Sequence, residues 1–178
     1  MWGALTVTAT AGASTIRGGT GIDIITGGAG ADIIDLSVGD GVADQVVLKA
    51  VTTAADGDTV YSFATTVDKI QIKNTSGAAD AAATAVIDVA GIAGVGKTKI
   101  IADSTANLGA DCVALGNLSA TLNEGGYAFD TTTGKLYYDA DGDFSAGVVC
   151  VGTFYSTALG GANTALGVVA AADFLFTT

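Results

Sequence analysis

The chain of 178 residues has no proline, no histidine and a single glutamate, Glu124, and only 7% of it is aromatic. Without histidine there is no imidazole base, no Ser-His-Asp triad and no histidine-ligated metal. With so few aromatics, a core must be built from Ala, Val, Ile and Leu, which dominate the 49% of apolar residues. Cations are scarce too: 7 Lys+Arg stand against 18 Asp+Glu, a net charge of -11. That balance excludes nucleic acid as a partner, because a basic footprint is missing, and it disfavours an anionic membrane surface. No charge-free apolar run reaches the length of a spanning helix, so no membrane insertion is expected. The opening residues, MWGALTVTATAGAS, have neither a basic n-region nor an apolar h-region and do not read as a secretory leader. A mean hydropathy of +0.53 sets the chain apart from charge-driven disorder.

What is abundant is glycine, with 26 residues, and aspartate, which supplies every acid but Glu124. The two occur together in a repeat. Residues 18–26 read GGTGIDIIT and residues 27–35 read GGAGADIID, both fitting G-G-x-G-x-D-x-U-x with U a large aliphatic. Weaker copies flank them. Residues 9–17, ATAGASTIR, keep Gly12 and Ile16 but place Ser14 where Asp belongs. After the insertion Leu36-Ser37-Val38, residues 39–47, GDGVADQVV, restore Asp44 and Val46 to register. Residues 53–61, TAADGDTVY, keep Asp58 and Val60. Degenerate copies around a regular centre are what a capped solenoid shows.

This nine-residue pattern resembles the calcium-binding repeat of RTX (hemolysin-type) secreted proteins. In each copy six residues make a tight turn in which glycine permits positive φ. Backbone carbonyls and the closing Asp then offer the oxygen ligands that a hard cation, Ca²⁺, prefers. Three residues of strand follow, with Ile16, Ile25, Ile34, Val46 and Val60 directed into the core. The resemblance implies that successive turns lie on opposite sides of a parallel β-roll, with each ion between copy n and copy n+2. It implies one ion at Gly18, Thr20, Gly21 and Asp23 with Asp44. A second would use Gly27, Gly28, Gly30 and Asp32 with Asp58 and Asp56. Ser14 weakens any ion between the first and third copies.

Beyond the repeats the text changes. Asp58, Phe63 and Asp68-Lys69-Ile70 resemble the stretch that closes such rolls. Residues 74–83, NTSGAADAAA, read as a polar turn and a short Ala-rich helical segment. Tyr127-Ala128-Phe129 and Leu136-Tyr137-Tyr138 flank a Gly134-containing hairpin turn, and GVVCVGTFY at 147–155 reads as a buried strand. The runs FDTTTGKLYYDADGD and ADFLF resemble the C-terminal regions of RTX exoproteins and S-layer proteins, where the family carries a type I secretion signal. Cys112 and Cys150 leave one disulfide and two buried thiols both open.

Two rival motifs carry less. Residues 91–98, GIAGVGKT, match a phosphate-binding loop, with Lys97 and Thr98 as its ligands. However, the β-branched, turn-rich KIIADSTANLG after it does not supply the amphipathic helix that such a loop needs. Asp139, Asp141 and Asp143 resemble EF-hand positions 1, 3 and 5, but Phe144 and Cys150 replace the required Gly and Glu. The expected fold is therefore all-β: a calcium-binding parallel β-roll over residues 1–73 and an antiparallel β module over 74–178. The expected function is non-catalytic: an extracellular or cell-surface calcium-binding structural protein that self-assembles into a layer, filament or matrix. A cell-surface glycan is the candidate anchor. The alternative is the folding and secretion module of a larger exoenzyme or adhesin, with nucleotide binding a remote third.

Overall fold

The computed structural model describes residues 3–37, 40–49, 57–73, 86–88, 100–103, 126–139 and 148–177. The repeat becomes seven strands: β1 (Thr6–Thr8), β2 (Thr15–Arg17), β3 (Ile24–Thr26), β4 (Ile33–Asp35), β5 (Gln45–Lys49), β6 (Asp58–Tyr61) and β7 (Lys69–Lys73). They alternate between two sheets. β1, β3, β5 and β7 pair in parallel in one, and β2, β4 and β6 in the other. Thr6 lies beside Ile24 and Thr15 beside Ile33, so each strand meets the strand two repeats later. Ile24 then lies beside Gln45, a longer step because the 36–38 insertion adds three residues to that coil. This is the expected parallel β-roll.

The period-2 alternation of each short strand leaves one aliphatic to turn inward. Ile25, Ile34, Val46 and Val60 are fully buried, and Ile16 packs half-buried at the start of the same cluster. Full burial of such a side chain contributes about 1.5–3 kcal/mol. The expected aliphatic line is thus the core of the roll, and Ile70 of β7 continues it.

The second half adds β8 (Val86–Asp88), β9 (Ile100–Asp103), β10 (Gly126–Asp130), β11 (Lys135–Asp139), β12 (Val149–Phe154) and β13 (Phe174–Thr177). The antiparallel reading of this half holds only at its centre. β10, β11 and β12 are antiparallel, whereas β8–β9, β9–β10, β12–β6 and β13–β7 are parallel. The physical reason is that β12 and β13 join the roll's own sheets in the direction its strands already run. The resulting sheets have the orders β1-β3-β5-β7-β13 and β2-β4-β6-β12-β11-β10-β9-β8. The turn between β10 and β11 follows the expectation: Gly134 has φ +71, and the Asp130 carboxylate accepts from the Thr132 and Thr133 amides. The core is not purely aliphatic as expected: Phe63 and Phe154, 5.5 Å apart edge to face, and Phe129 beside Phe154 are buried and fill the join between roll and added strands. The expected Ala-rich segment at 74–83 and Cys112 lie outside the described residues. Cys150 sits half-buried on β12.

Candidate metal centre

The closing aspartates form ladders that run from turn to turn. Asp23 Oδ1 accepts from the Leu5 amide (2.8 Å), Asp44 Oδ1 from the Asp23 amide (2.8 Å), and Asp68 Oδ1 from the Asp44 amide (3.0 Å). On the other side, Asp32 Oδ1 accepts from the Ser14 amide (2.7 Å) and Asp58 Oδ1 from the Asp32 amide (3.0 Å). Each carboxylate therefore holds the turn two repeats before it. Such charge-assisted bonds are stronger than neutral ones. All five aspartates are buried.

These bonds use one oxygen of each inner carboxylate. Asp23 Oδ2 and Asp32 Oδ2 are buried without a hydrogen-bond partner. A buried charged oxygen without a partner is costly. Glycine clears the space beside each. A Cβ on Gly18 would lie 2.5 Å from Asp23 Oδ2, and one on Gly27 would lie 2.6 Å from Asp32 Oδ2 and 2.8 Å from Asp58 Oδ2. Gly27 thus marks a point on which two carboxylates converge. Among the described residues no three carboxylates or thiols gather at one point, so any ion here must complete its shell with other oxygens, backbone carbonyls or water. Few acids and many carbonyls suit Ca²⁺, which takes 6–8 oxygens, better than Mg²⁺. The donor set fits calcium. Bound there, calcium would neutralise the paired acids and tie each turn to the one two repeats away.

Electrostatics point the same way. Burial pushes the Asp44 carboxyl up to about 7, against the Asp23 amide that stabilises its charge, and Asp68, Asp40 and Asp23 add repulsion. Burial likewise raises Asp68, with the Ala64 and Asp44 amides opposing. A cation is what lets these acids ionise together at neutral pH.

The structure places the residues named from sequence as follows. Asp23 and Asp44 are linked, as are Asp32 and Asp58, with the expected two-repeat offset. Gly18 and Gly27 lie against the carboxylates. Gly21 packs on the backbone of Gly3 and Ala4, Gly28 on that of Ala9, and Gly30 on that of Gly12, so these three stack the turns. Gly28 and Gly30 have φ of +98 and +102, which a side chain would strain. Thr20 is exposed on its turn. Asp56 lies outside the described residues.

Three acids were not singled out as site residues. Asp68 closes a sixth turn, and its signal is the register of Asp68 and Ile70 with the earlier Asp and aliphatic positions, hidden because that copy has no glycine. Asp40, on the fourth turn, has a buried oxygen, Oδ2, without a hydrogen-bond partner. Asp173, in the 3-10 turn Ala171–Asp173, accepts from the Thr65 hydroxyl and from the Thr66 and Ala170 amides, and so pins the sixth turn to the C-terminal strand. Nothing near it in sequence announces that role.

Neither rival motif gains support. Residues 91–98 lie outside the described residues, but Ile100–Asp103, where a phosphate-binding loop would begin its helix, is strand β9. Asp139 ends strand β11, and Asp141 and Asp143 lie outside the described residues.

With this geometry in place, the comparison with known families is specific. Residues 8–43 match the family model of the RTX calcium-binding nonapeptide repeat, in four copies. No curated protein and no solved structure matches the chain. The segment is thus similar to the calcium-binding RTX repeat, and calcium is the cofactor of such repeats.

Proposed function

We propose that this is an extracellular structural protein that folds with calcium and then assembles with further copies into a surface layer, filament or matrix. The observation that carries the reading is the ladder of buried aspartates, in which Asp23 and Asp32 each keep one oxygen free of protein partners for an ion. Proteins with RTX repeats are secreted as a rule, and millimolar calcium is found outside the cell, where sites of this type have affinities of about 10⁻⁴–10⁻³ M. A non-catalytic role is supported by the use made of buried polar side chains. Among the described residues these are the five ladder acids, Ser62, Asp130 and Asp173, and each holds a turn or a neighbouring strand.

Negative-stain microscopy with and without millimolar calcium tests the assembly. Ordered polymers should form only with calcium, and added ATP should change nothing. A protein that folds with calcium but stays monomeric at high concentration would instead favour the secretion module of a larger exoprotein.

A further inference from the structure

We propose that the first coil of the roll is an end-to-end docking surface for a second copy of this chain; the inference rests on the assembly reading and gives it one of its interfaces, the two-fold one that pairs copies. Among the described residues, β1 and β2 are the outer strands of their sheets. The amide of Ile24 bonds Leu5 O and that of Ala9 bonds Thr26 O, so in a parallel ladder Thr6 and Thr8 turn their backbone groups away from β3. By the same logic the Ile33–Ser14 and Gly18–Asp35 bonds leave Thr15 and Arg17 facing away from β4. Between these edges Val7 and Ile16 are half-buried, whereas their counterparts Ile25 and Ile34 one coil further in are fully buried. The strands carry no lysine, proline or bulge to blunt the edge.

Charge selects the occupant. All 18 acids lie at residue 23 or beyond, so the first 22 residues hold no carboxylate and one cation, Arg17, whose side chain is 70% exposed. Leu5 and Ser14 stand where the repeat would place Asp, and each donates its amide to the next coil without offering a carboxylate outward. Copies of a chain with net charge -11 repel one another, and repulsion is weakest where two acid-free coils meet. The far ends of the sheets do not offer a matching surface. There one sheet ends on β13 and the other on β8, four strands past β12, so among the described residues only the first coil presents both edges together. The complementary surface is another first coil. A two-fold axis then sets β1 and β2 against antiparallel strands of the second copy and covers Val7 and Ile16.

Sedimentation velocity in millimolar calcium tests this with the full chain and three variants. Val7→Lys and Thr15→Lys place a charge on the edge; Thr15 is exposed, so that variant tests docking even if Val7→Lys disturbs the fold. Val168→Lys changes an apolar residue that is 65% exposed but lies outside the first coil. The wild type and Val168→Lys should associate into dimers or larger assemblies, and Thr15→Lys should weaken this association at least about tenfold while its calcium-induced circular dichroism is unchanged. Edge variants that associate as tightly as wild type, or a loss of association in Val168→Lys alone, would overturn this interface and leave the assembly reading in place. A wild type that stays monomeric would remove both.

Discussion

Asp32→Ala should raise the calcium concentration at half-folding by at least about tenfold. The side chain has two tasks: Oδ1 holds the Ser14 amide at 2.7 Å, and the buried Oδ2 has no protein partner. Leaving a buried donor unsatisfied costs about 1–3 kcal/mol, and each 1.4 kcal/mol is about tenfold in an equilibrium constant. Loss of an ion ligand adds to this. Asp139→Ala is the comparison, because Asp139 ends a hairpin strand outside the ladder, and its midpoint should move little. A calcium titration followed by circular dichroism for both variants checks the contrast. Equal shifts would make the hairpin end a structural calcium site as well.

Gly27→Ala should crowd the ion site itself. Its backbone does not need positive φ, so the only obstacle is space. The new methyl would stand 2.6 Å from Asp32 Oδ2, 2.8 Å from Asp58 Oδ2 and 3.1 Å from Asp32 Cβ, so both side chains must shift against the bonds that hold them to the Asp32 and Ser14 amides. In doing so they leave the point on which they converge. The calcium concentration at half-folding should therefore rise by about tenfold or more. Gly12→Ala makes a useful contrast. Gly12 has φ +79 and open space around it, so an alanine there costs about 1 kcal/mol of backbone strain without crowding any carboxylate. Isothermal titration of the two variants should show the larger loss of affinity at Gly27.

Much of the roll was legible because a nine-residue period fixes three things at once. It sets which residues turn, which aliphatic enters the core and which acid closes each turn, as Ile25 and Asp23 or Ile34 and Asp32 show. The three-residue insertion at 36–38 was legible too, and it appears as the longer step from Ile24 to Gln45. The pairing of the second half was not. GVVCVGTFY announces a buried strand, but nothing in a run of β-branched residues says that Gly152 will lie beside Asp58 in parallel. That partner is set by the free edge β6 offers, which exists only after the roll has formed. Asp173 was hidden for the same reason: its partners, Thr65 and Thr66, lie more than a hundred residues earlier. Asp68 was legible as part of the closing stretch but not as a ladder acid, because a turn can keep its Asp and its aliphatic while losing every glycine.

The central claim is that calcium binding and folding of the roll are one event, since the sites exist only when turns two repeats apart are stacked. Far-ultraviolet circular dichroism of the calcium-stripped chain at neutral pH, titrated with CaCl₂ and in parallel with MgCl₂, tests this most directly. The β signal should be weak at the start and should rise cooperatively with a midpoint of about 10⁻⁴–10⁻³ M calcium, with magnesium a poor substitute. A full β signal in excess EGTA, unchanged by added calcium, would contradict the account.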